Sequence, residues 1–199
     1  MSTLVKRILL GIGAVVLLFA GYVGFTLSTT KNHSPEETLL HKDSGLEISV
    51  FYNRPYKKDR VIFGELVPYG EVWRTGANEA TTFTTNEDLS INGETLPAGK
   101  YTHWTIPFEN GWTVIFNNKM YDWGIQWGGK ASREEAADIL STDAGVQRLN
   151  GSVEQFTIDI EDGEGLMLTL TWDDVRVEVP MNRLNTPQVE MEADEGTGG

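Results

Sequence analysis

Residues 8–27 form an uninterrupted stretch of twenty residues without a single charged side chain. As a helix that rises 1.5 Å per residue, the stretch is about 30 Å long, which matches the hydrocarbon thickness of a bilayer. A helix packed on a soluble core would show a polar residue every third or fourth position, and this stretch shows no such period. The sequence therefore predicts one transmembrane helix over residues 8–27, preceded by a short cytoplasmic N-terminus at residues 1–7.

The alternative for this stretch is a cleaved signal peptide, whose apolar region is usually only about 7–15 residues long. Residues 8–27 are longer, and no clear small-x-small cleavage pattern follows them, which favours an uncleaved anchor. Lys6 and Arg7 precede the anchor, whereas only Lys31 and Lys42 follow it closely. Since basic flanks stay in the cytoplasm, we expect a single-pass protein of the inner (cytoplasmic) membrane, with its N-terminus inside and its domain extracytoplasmic and facing the periplasm.

The chain after the anchor is strongly acidic, with 14 basic and 29 acidic side chains and a net charge of −15. Such a surface repels phosphate backbones, so we expect no nucleic-acid partner. Anionic lipid is repelled in the same way, which predicts a domain that stands off the membrane. The absence of cysteine excludes disulfides, thiolate catalysis and cysteine metal ligands.

Composition divides the rest of the chain into three parts. Residues 28–43 are polar, contain Pro35 and show no sustained period, which predicts a tether. Residues 44–185 form the predicted β domain. Residues 186–199 contain acidic side chains, no basic ones and a Gly-Thr-Gly-Gly end, which predicts a disordered tail.

The dominant hydrophobic period between residues 44 and 185 is two, as in strands that cover a core on one face. Apolar residues alternate with polar ones over 156–160, 166–172 and 175–179. Asn92-Gly93 predicts a two-residue hairpin, and Asp173-Asp174 predicts another turn. About ten short antiparallel strands in a β-sandwich or jelly-roll follow from this pattern. One short helix is predicted over residues 132–140, because Ser132 and Glu135 have the spacing of a capping box.

The stretch from residue 52 to residue 107 carries a family resemblance. Its most specific string is WRTGANEAT at residues 73–81, supported by Val67-Pro68-Tyr69-Gly70, Asn92-Gly93 and Pro97-Ala98-Gly99. On these residues most of 44–182 resembles the DUF2911 family, whose members are exported or envelope-associated bacterial proteins. The resemblance implies an exported β-rich domain and no assigned catalytic residue. Two positions depart from the family pattern: His103 replaces an expected apolar residue, and residues 128–145 look like an insertion that carries the helix.

The same string contains the strongest candidate for a ligand site. Arg74 has the fork geometry that binds a carboxylate or phosphate, and Trp73 offers a flat face for a sugar or an aromatic ring. Asn78 and Glu79 can accept hydrogen bonds from hydroxyl groups. The alternative is structural: Gly76 to Asn78 form a tight turn, and Arg74 is buried against Glu71 or Glu79.

Arg54 and Arg60 belong to the same ligand-site hypothesis, with a structural role as the stronger alternative for each. His103 is expected at the surface or rim of the sheet, because no orienting partner for a catalytic base is evident. His33 and His41 lie in the predicted tether. The clustered acidic residues are expected to lie on solvent-exposed faces. The sequence therefore predicts neither a metal site nor a cofactor.

Nothing in the sequence matches a serine nucleophile elbow, a P-loop or a dinucleotide fingerprint. This absence favours a non-catalytic envelope module over an enzyme. We expect it to bind a small polar ligand, a glycan or an envelope protein through residues 73–79 and the neighbouring arginines, with the membrane as a partner through residues 8–27. The alternatives are a hydrolase of envelope carbohydrate or peptide, with Glu79 or another acid as its base, and a purely structural role.

Overall fold

The computed structural model of the protein describes residues 2–184. Helix α1 spans Thr3–His33, and the Ser2 hydroxyl accepts a hydrogen bond from the Val5 amide at its start. The strands that follow are β1 (Glu36–Asp43), β2 (Leu46–Asn53), β3 (Thr82–Thr85), β4 (Leu89–Ile91), β5 (Glu94–Leu96), β6 (Gly99–Pro107), β7 (Gly111–Asn117), β8 (Asp138–Asp162) and β9 (Leu166–Arg183). The predicted apolar helix is present, and it is long and apolar enough to cross a membrane.

Within the described chain the strands form one antiparallel sheet in the order β1-β2-β3-β6-β7-β8-β9-β4-β5. The first part of β8 pairs with β7 up to Gly145, and the part from Val146 onward pairs with β9. Strand β8 therefore joins two portions of the sheet, and both portions contribute side chains to one hydrophobic core. The mainly β, antiparallel prediction is confirmed.

The predicted inward faces of β8 and β9 are confirmed by burial of Phe156, Ile158 and Ile160, and of Val175, Val177 and Val179. The turn predicted at Asp173-Asp174 is wrong, because β9 runs through it without reversing. Trp172 and Val175 are three residues apart and both buried, so a strictly alternating strand would point one of them outward. The strand is irregular at this point: Asp173 has a φ of 53°, and the register with β8 shifts on both sides of the Val153–Asp173 pair, so both side chains can lie inside.

The helix predicted over residues 132–140 is wrong. Only a single 3-10 turn forms, at Glu135–Ala137, and β8 begins at Asp138. The Ser132 hydroxyl donates to the Trp123 carbonyl at 3.0 Å instead of capping a helix. Pairing with β7 decides the conformation from Asp138 onward, because it buries Leu140, Thr142 and Ala144 with the period of a strand.

The tether predicted over residues 28–43 is also wrong. Helix α1 continues to His33, and β1 pairs with β2 along all eight of its residues. Only Ser34 and Pro35 separate the helix from the sheet. The Asn92-Gly93 hairpin prediction is confirmed, since both residues have positive φ between β4 and β5. The predicted disordered tail at residues 186–199 lies outside the described residues.

The surface or rim position predicted for His103 is wrong. Its side chain is only 2% exposed, and its ring lies 5.0 Å from the Phe116 ring. Neither ring nitrogen has a hydrogen-bond partner in the described chain. The face of β6 opposite to this core is covered as well, because Trp104 packs with Ala80 and Ile115 in a second cluster. Both faces of this central strand are buried, so alternation of apolar and polar residues cannot show which side chains are exposed.

Candidate functional site

The loop between β2 and β3 contains the WRTGANEAT string and is shaped by unusual backbone angles. Thr75, Gly76 and Asn78 all have positive φ, at 53°, 151° and 54°. A Cβ on Gly76 would lie 2.9 Å from the Asn53 carbonyl oxygen, closer than such contacts normally allow. Trp73 pairs with Thr105 of β6 through two backbone hydrogen bonds, which attach the loop to the sheet.

This loop forms one wall of a cleft of about 1130 Å³. The second wall comes from the segment between β7 and β8, including Ile125, Gly128 and Lys130, and the third from the end of α1, at Thr30 and His33. Four of the predicted site residues line the cleft: Arg60, Trp73, Arg74 and Asn78. We call this space the Arg74 cleft.

The Arg74 guanidinium is the most unusual group in the cleft. Its Nε is buried and has no hydrogen-bond partner in the described chain. Burial lowers the pKa of Arg74, and the negative charge of Glu79 offsets only part of this effect. The Arg74 side chain packs directly against Gly124. A Cβ added at residue 124 would lie only 2.7 Å from Arg74 Cβ and 2.4 Å from Arg74 Cδ. The structural alternative, an ion pair with Glu71 or Glu79, is not formed between the described residues.

The cleft is cationic although the whole protein has a net charge of −13. Five basic side chains line it, and among the described lining residues Glu71 is the single carboxylate. Arg133 is bound to Asp138, and Arg60 donates to the carbonyls of Lys57 and Tyr56. The remaining basic residues are Arg74, Lys58 and Lys130, and no ion pair with a carboxylate is found for any of them between residues 2 and 184.

Trp73 lines the cleft, but its ring packs against the hydrophobic core. It stacks on Trp172 with 6.0 Å between ring centroids, and it meets Phe63, Trp112 and Phe156 at steep angles. Its Nε1 donates to the Gly76 carbonyl at 3.0 Å. These contacts cover the ring that was expected to be available for stacking with a sugar. They hold the loop in position instead.

Arg54 and Glu79 are not among the residues that line the cleft. Arg54 forms an ion pair with Glu37 and donates to the Phe156 carbonyl and the Thr157 hydroxyl. Glu79 accepts a hydrogen bond from Asn53 at 2.9 Å and lies 3.5 Å from the Lys31 ammonium group. Asn78 donates to the Asn53 side chain, so its amide joins the loop to β2.

Sequence reasoning missed Lys58, Lys130 and the end of α1 as parts of the site. Lys58 is four residues from Arg54, and its Nζ lies 3.1 Å from His33 Nδ1, a contact between residues that are far apart in the chain. The position of Lys130 depends on the fold of the segment between β7 and β8, where the helix predicted from the sequence does not form. Within residues 2–184 no group of three or more His, Asp or Glu side chains is placed to hold a metal ion.

Comparison with known families adds one result to this geometry. The model of a protein family of unknown function, DUF2911, matches residues 34–181, which is most of the chain and includes β1 to β9 almost completely. Neither a curated protein nor a solved structure matches the chain. The matched region contains the WRTGANEAT loop and all the walls of the Arg74 cleft except the end of α1. The chain therefore belongs to the DUF2911 family of proteins of unknown function.

Proposed function

We propose that this protein is a non-catalytic envelope module that binds a small anionic ligand in the Arg74 cleft. In this proposal α1 anchors the protein in the inner membrane and the β domain lies on the extracytoplasmic side. The observation that carries the proposal is the half-buried Arg74 side chain, whose buried Nε has no hydrogen-bond partner and which forms no ion pair between the described residues.

An unpaired buried charge is expensive for a fold, on the order of several kcal/mol. An anion in the cleft would recover part of this cost, and a guanidinium suits carboxylate or phosphate because it donates two parallel hydrogen bonds. Gly124 fixes the Arg74 side chain against the cleft wall, so little conformational entropy is lost when the ligand binds.

The remaining charges make the cleft selective for anions. Lys58 and Lys130 add positive charge at exposed positions, opposed by Glu71. An acidic protein repels anions from most of its surface, so a local basic cleft determines where an anion binds. The same repulsion supports the prediction that nucleic acid is not a partner.

The hydrolase alternative receives less support from the geometry. Its suggested base, Glu79, is held by Asn53 and Lys31 and does not line the cleft. Acid–base hydrolysis of a glycosidic bond normally uses two carboxyl groups on either side of the substrate. Among the described residues that line the cleft, only Glu71 carries a carboxylate.

The test uses the full chain in a nonionic detergent, with glycerol phosphate as the probe and thermal unfolding as the readout. Glycerol phosphate at about 100 times its dissociation constant is expected to stabilise the protein by roughly 2.7 kcal/mol. Arg74→Gln is expected to weaken binding about tenfold or more, because a hydrogen bond to a charged group contributes about 1.5–3 kcal/mol. The same substitution should raise the stability of the ligand-free protein, since it removes a half-buried charge that forms no ion pair between the described residues.

Two further variants separate the cleft from general charge effects. Gly124→Ala keeps every charge but displaces Arg74, and it should weaken binding as well. Arg148→Gln removes an exposed arginine that is paired with Asp174 outside the cleft, and it should leave binding unchanged. Equal stabilisation of wild type and Arg74→Gln by glycerol phosphate, or none in wild type, would contradict the proposal.

A further inference from the structure

We infer that the anion of the Arg74 cleft is the phosphate group of a lipid in the membrane that α1 enters. This inference deepens the proposed function and rests on it. Its starting point is the end of α1, because Thr30, His33 and Ser34 form one wall of the cleft.

The helix places that wall at the depth of the lipid headgroups. Thr30 and His33 lie three and six residues beyond the apolar stretch that ends at residue 27, which is about 4.5 and 9 Å along the helix axis. The headgroup layer on one side of a bilayer is on the order of 5–8 Å thick. Only Ser34 and Pro35 separate α1 from β1, so the domain has no long spacer with which to move away.

Contacts between the helix and the domain hold the cleft at this position. Lys31 forms an ion pair with Glu36 and lies 3.5 Å from Glu79 in the WRTGANEAT loop. Lys58 Nζ lies 3.1 Å from His33 Nδ1. These contacts join the last turn of α1 to two separate segments of the domain, and one of them brings a lysine of the cleft to the helix.

The walls of the cleft suit a molecule with an anionic end and an apolar body. Leu66, Val72 and Ile125 line the cleft together with the basic side chains. At its edge Leu66 is 45% exposed, and Trp127, next to the lining residues Gly128 and Gly129, is fully exposed. Tryptophan is enriched at the membrane–water interface, where its ring lies at the level of the headgroups.

The acidic surface explains why binding should be limited to one site. With a net charge of −15 after the anchor, the domain gains nothing from general attraction to an anionic bilayer. A lipid held in the cleft is therefore expected to bind in a saturable manner, with one phospholipid per chain.

The experiment is native mass spectrometry of the full chain released from detergent micelles that contain increasing amounts of phosphatidylglycerol. Wild type should retain one phosphatidylglycerol molecule in a saturable manner. Arg74→Gln should lose it, with an apparent affinity lower by about tenfold or more. Arg148→Gln should bind it as wild type does, since Arg148 lies outside the cleft.

The glycerol phosphate titration distinguishes failure of this inference from failure of the proposed function. Stabilisation by glycerol phosphate without a phosphatidylglycerol complex would overturn the inference and leave a soluble anion as the ligand. Equal retention of phosphatidylglycerol by wild type and Arg74→Gln would overturn it too, because the lipid would then associate with α1 and not with the cleft. Absence of both responses in wild type would overturn the proposed function itself.

Discussion

His103 is a buried residue whose two ring nitrogens destabilise the folded protein. It lies among core side chains, where burial lowers its pKa to about 3 from an ordinary value of 6.5. Both ring nitrogens lack partners in the described chain, so their desolvation is not compensated. The unfolded chain takes up a proton below pH 6.5 whereas the folded protein does not until about pH 3. Stability should therefore fall with falling pH in that range, by up to about 1.4 kcal/mol per pH unit.

The variant His103→Phe removes both uncompensated nitrogens and keeps a ring beside Phe116. It is expected to raise the free energy of unfolding by about 1–3 kcal/mol near pH 6. It should also flatten the pH dependence between pH 6.5 and about 3. Urea unfolding of both proteins at a series of pH values measures the two effects, and an unchanged slope in the variant would show that His103 is not the group responsible.

Tyr52 is the opposite case, a buried polar group with all its hydrogen bonds formed. Its hydroxyl accepts from the Ile158 amide at 3.0 Å and donates to the Ile158 carbonyl at 3.2 Å. These bonds connect β2 to β8 across the core.

The variant Tyr52→Phe leaves both backbone groups of Ile158 without a partner, and it is expected to lower the free energy of unfolding by about 1–3 kcal/mol. The control is Tyr101→Phe, which removes one hydrogen bond to the Pro97 carbonyl and should cost less. Urea unfolding measures both, and an equal loss in the two variants would contradict the role assigned to Tyr52.

At the scale of elements, Asp173 lies where the backbone of β9 is irregular, with a positive φ inside a strand that runs through it without reversing. Its side chain accepts hydrogen bonds from Lys57 at 2.5 Å and from Ser152 at 2.8 Å. Burial by itself raises the pKa of Asp173, but these hydrogen bonds and the charge of Lys57 outweigh it and lower the pKa. This stabilisation is therefore present above the unfolded pKa of 3.8 and is lost as the pH falls through the lowered folded value.

Two substitutions at this position separate the backbone conformation from the ion pair. Asp173→Asn tolerates the positive φ and loses only the charge, so we expect a loss of about 0.5–1 kcal/mol. Asp173→Val should cost about 2–3 kcal/mol, because a β-branched residue adopts this conformation poorly. Thermal unfolding at neutral pH compares them, and similar losses would mean that β9 does not require the left-handed conformation at residue 173.

At the scale of the whole molecule, a connection of two residues links an apolar helix to an acidic domain. Helix α1 reaches β1 after two residues, so in the proposed anchored form the orientation of the helix would set the side of the membrane on which the domain lies. The sequence predicts the N-terminus in the cytoplasm and the domain outside. The natural chain has no cysteine, which makes single introduced cysteines unambiguous probes of this topology.

Gly151→Cys places a thiol at an exposed position of β8 with open space around it. It is expected to react with a membrane-impermeant maleimide at the periplasmic face of cells with a permeabilised outer membrane. Ser2→Cys, at the start of α1, should react only after the inner membrane is opened as well, and it should remain on a chain of full length. Loss of the Ser2→Cys label from the mature chain would indicate a cleaved signal peptide, and the opposite labelling pattern would reverse the topology.

Local patterns in the sequence predicted the parts of this protein that depend on near neighbours. The apolar helix, the inward faces of β8 and β9, and the Asn92-Gly93 hairpin each follow from periodicity or turn chemistry within a few residues. The WRTGANEAT string likewise identified the family and three of the predicted residues that line the cleft, Trp73, Arg74 and Asn78. The wrong helix and the wrong tether share one cause, since the Ser132–Glu135 spacing and the polar stretch before residue 43 are local signals, and strand pairing with β7 and β2 overrides them.

Only the tertiary structure decided which charges meet. Lys58 and Arg74 lie far apart in the loop between β2 and β3, Lys130 lies between β7 and β8, and the fold brings all three to one cleft beside the end of α1. Whether Arg74 has a carboxylate partner, and whether His103 is buried, depends on contacts between residues far apart in the chain. Sequence periodicity contains no information on such contacts, because it reports the environment averaged along one element and not the neighbours that packing supplies.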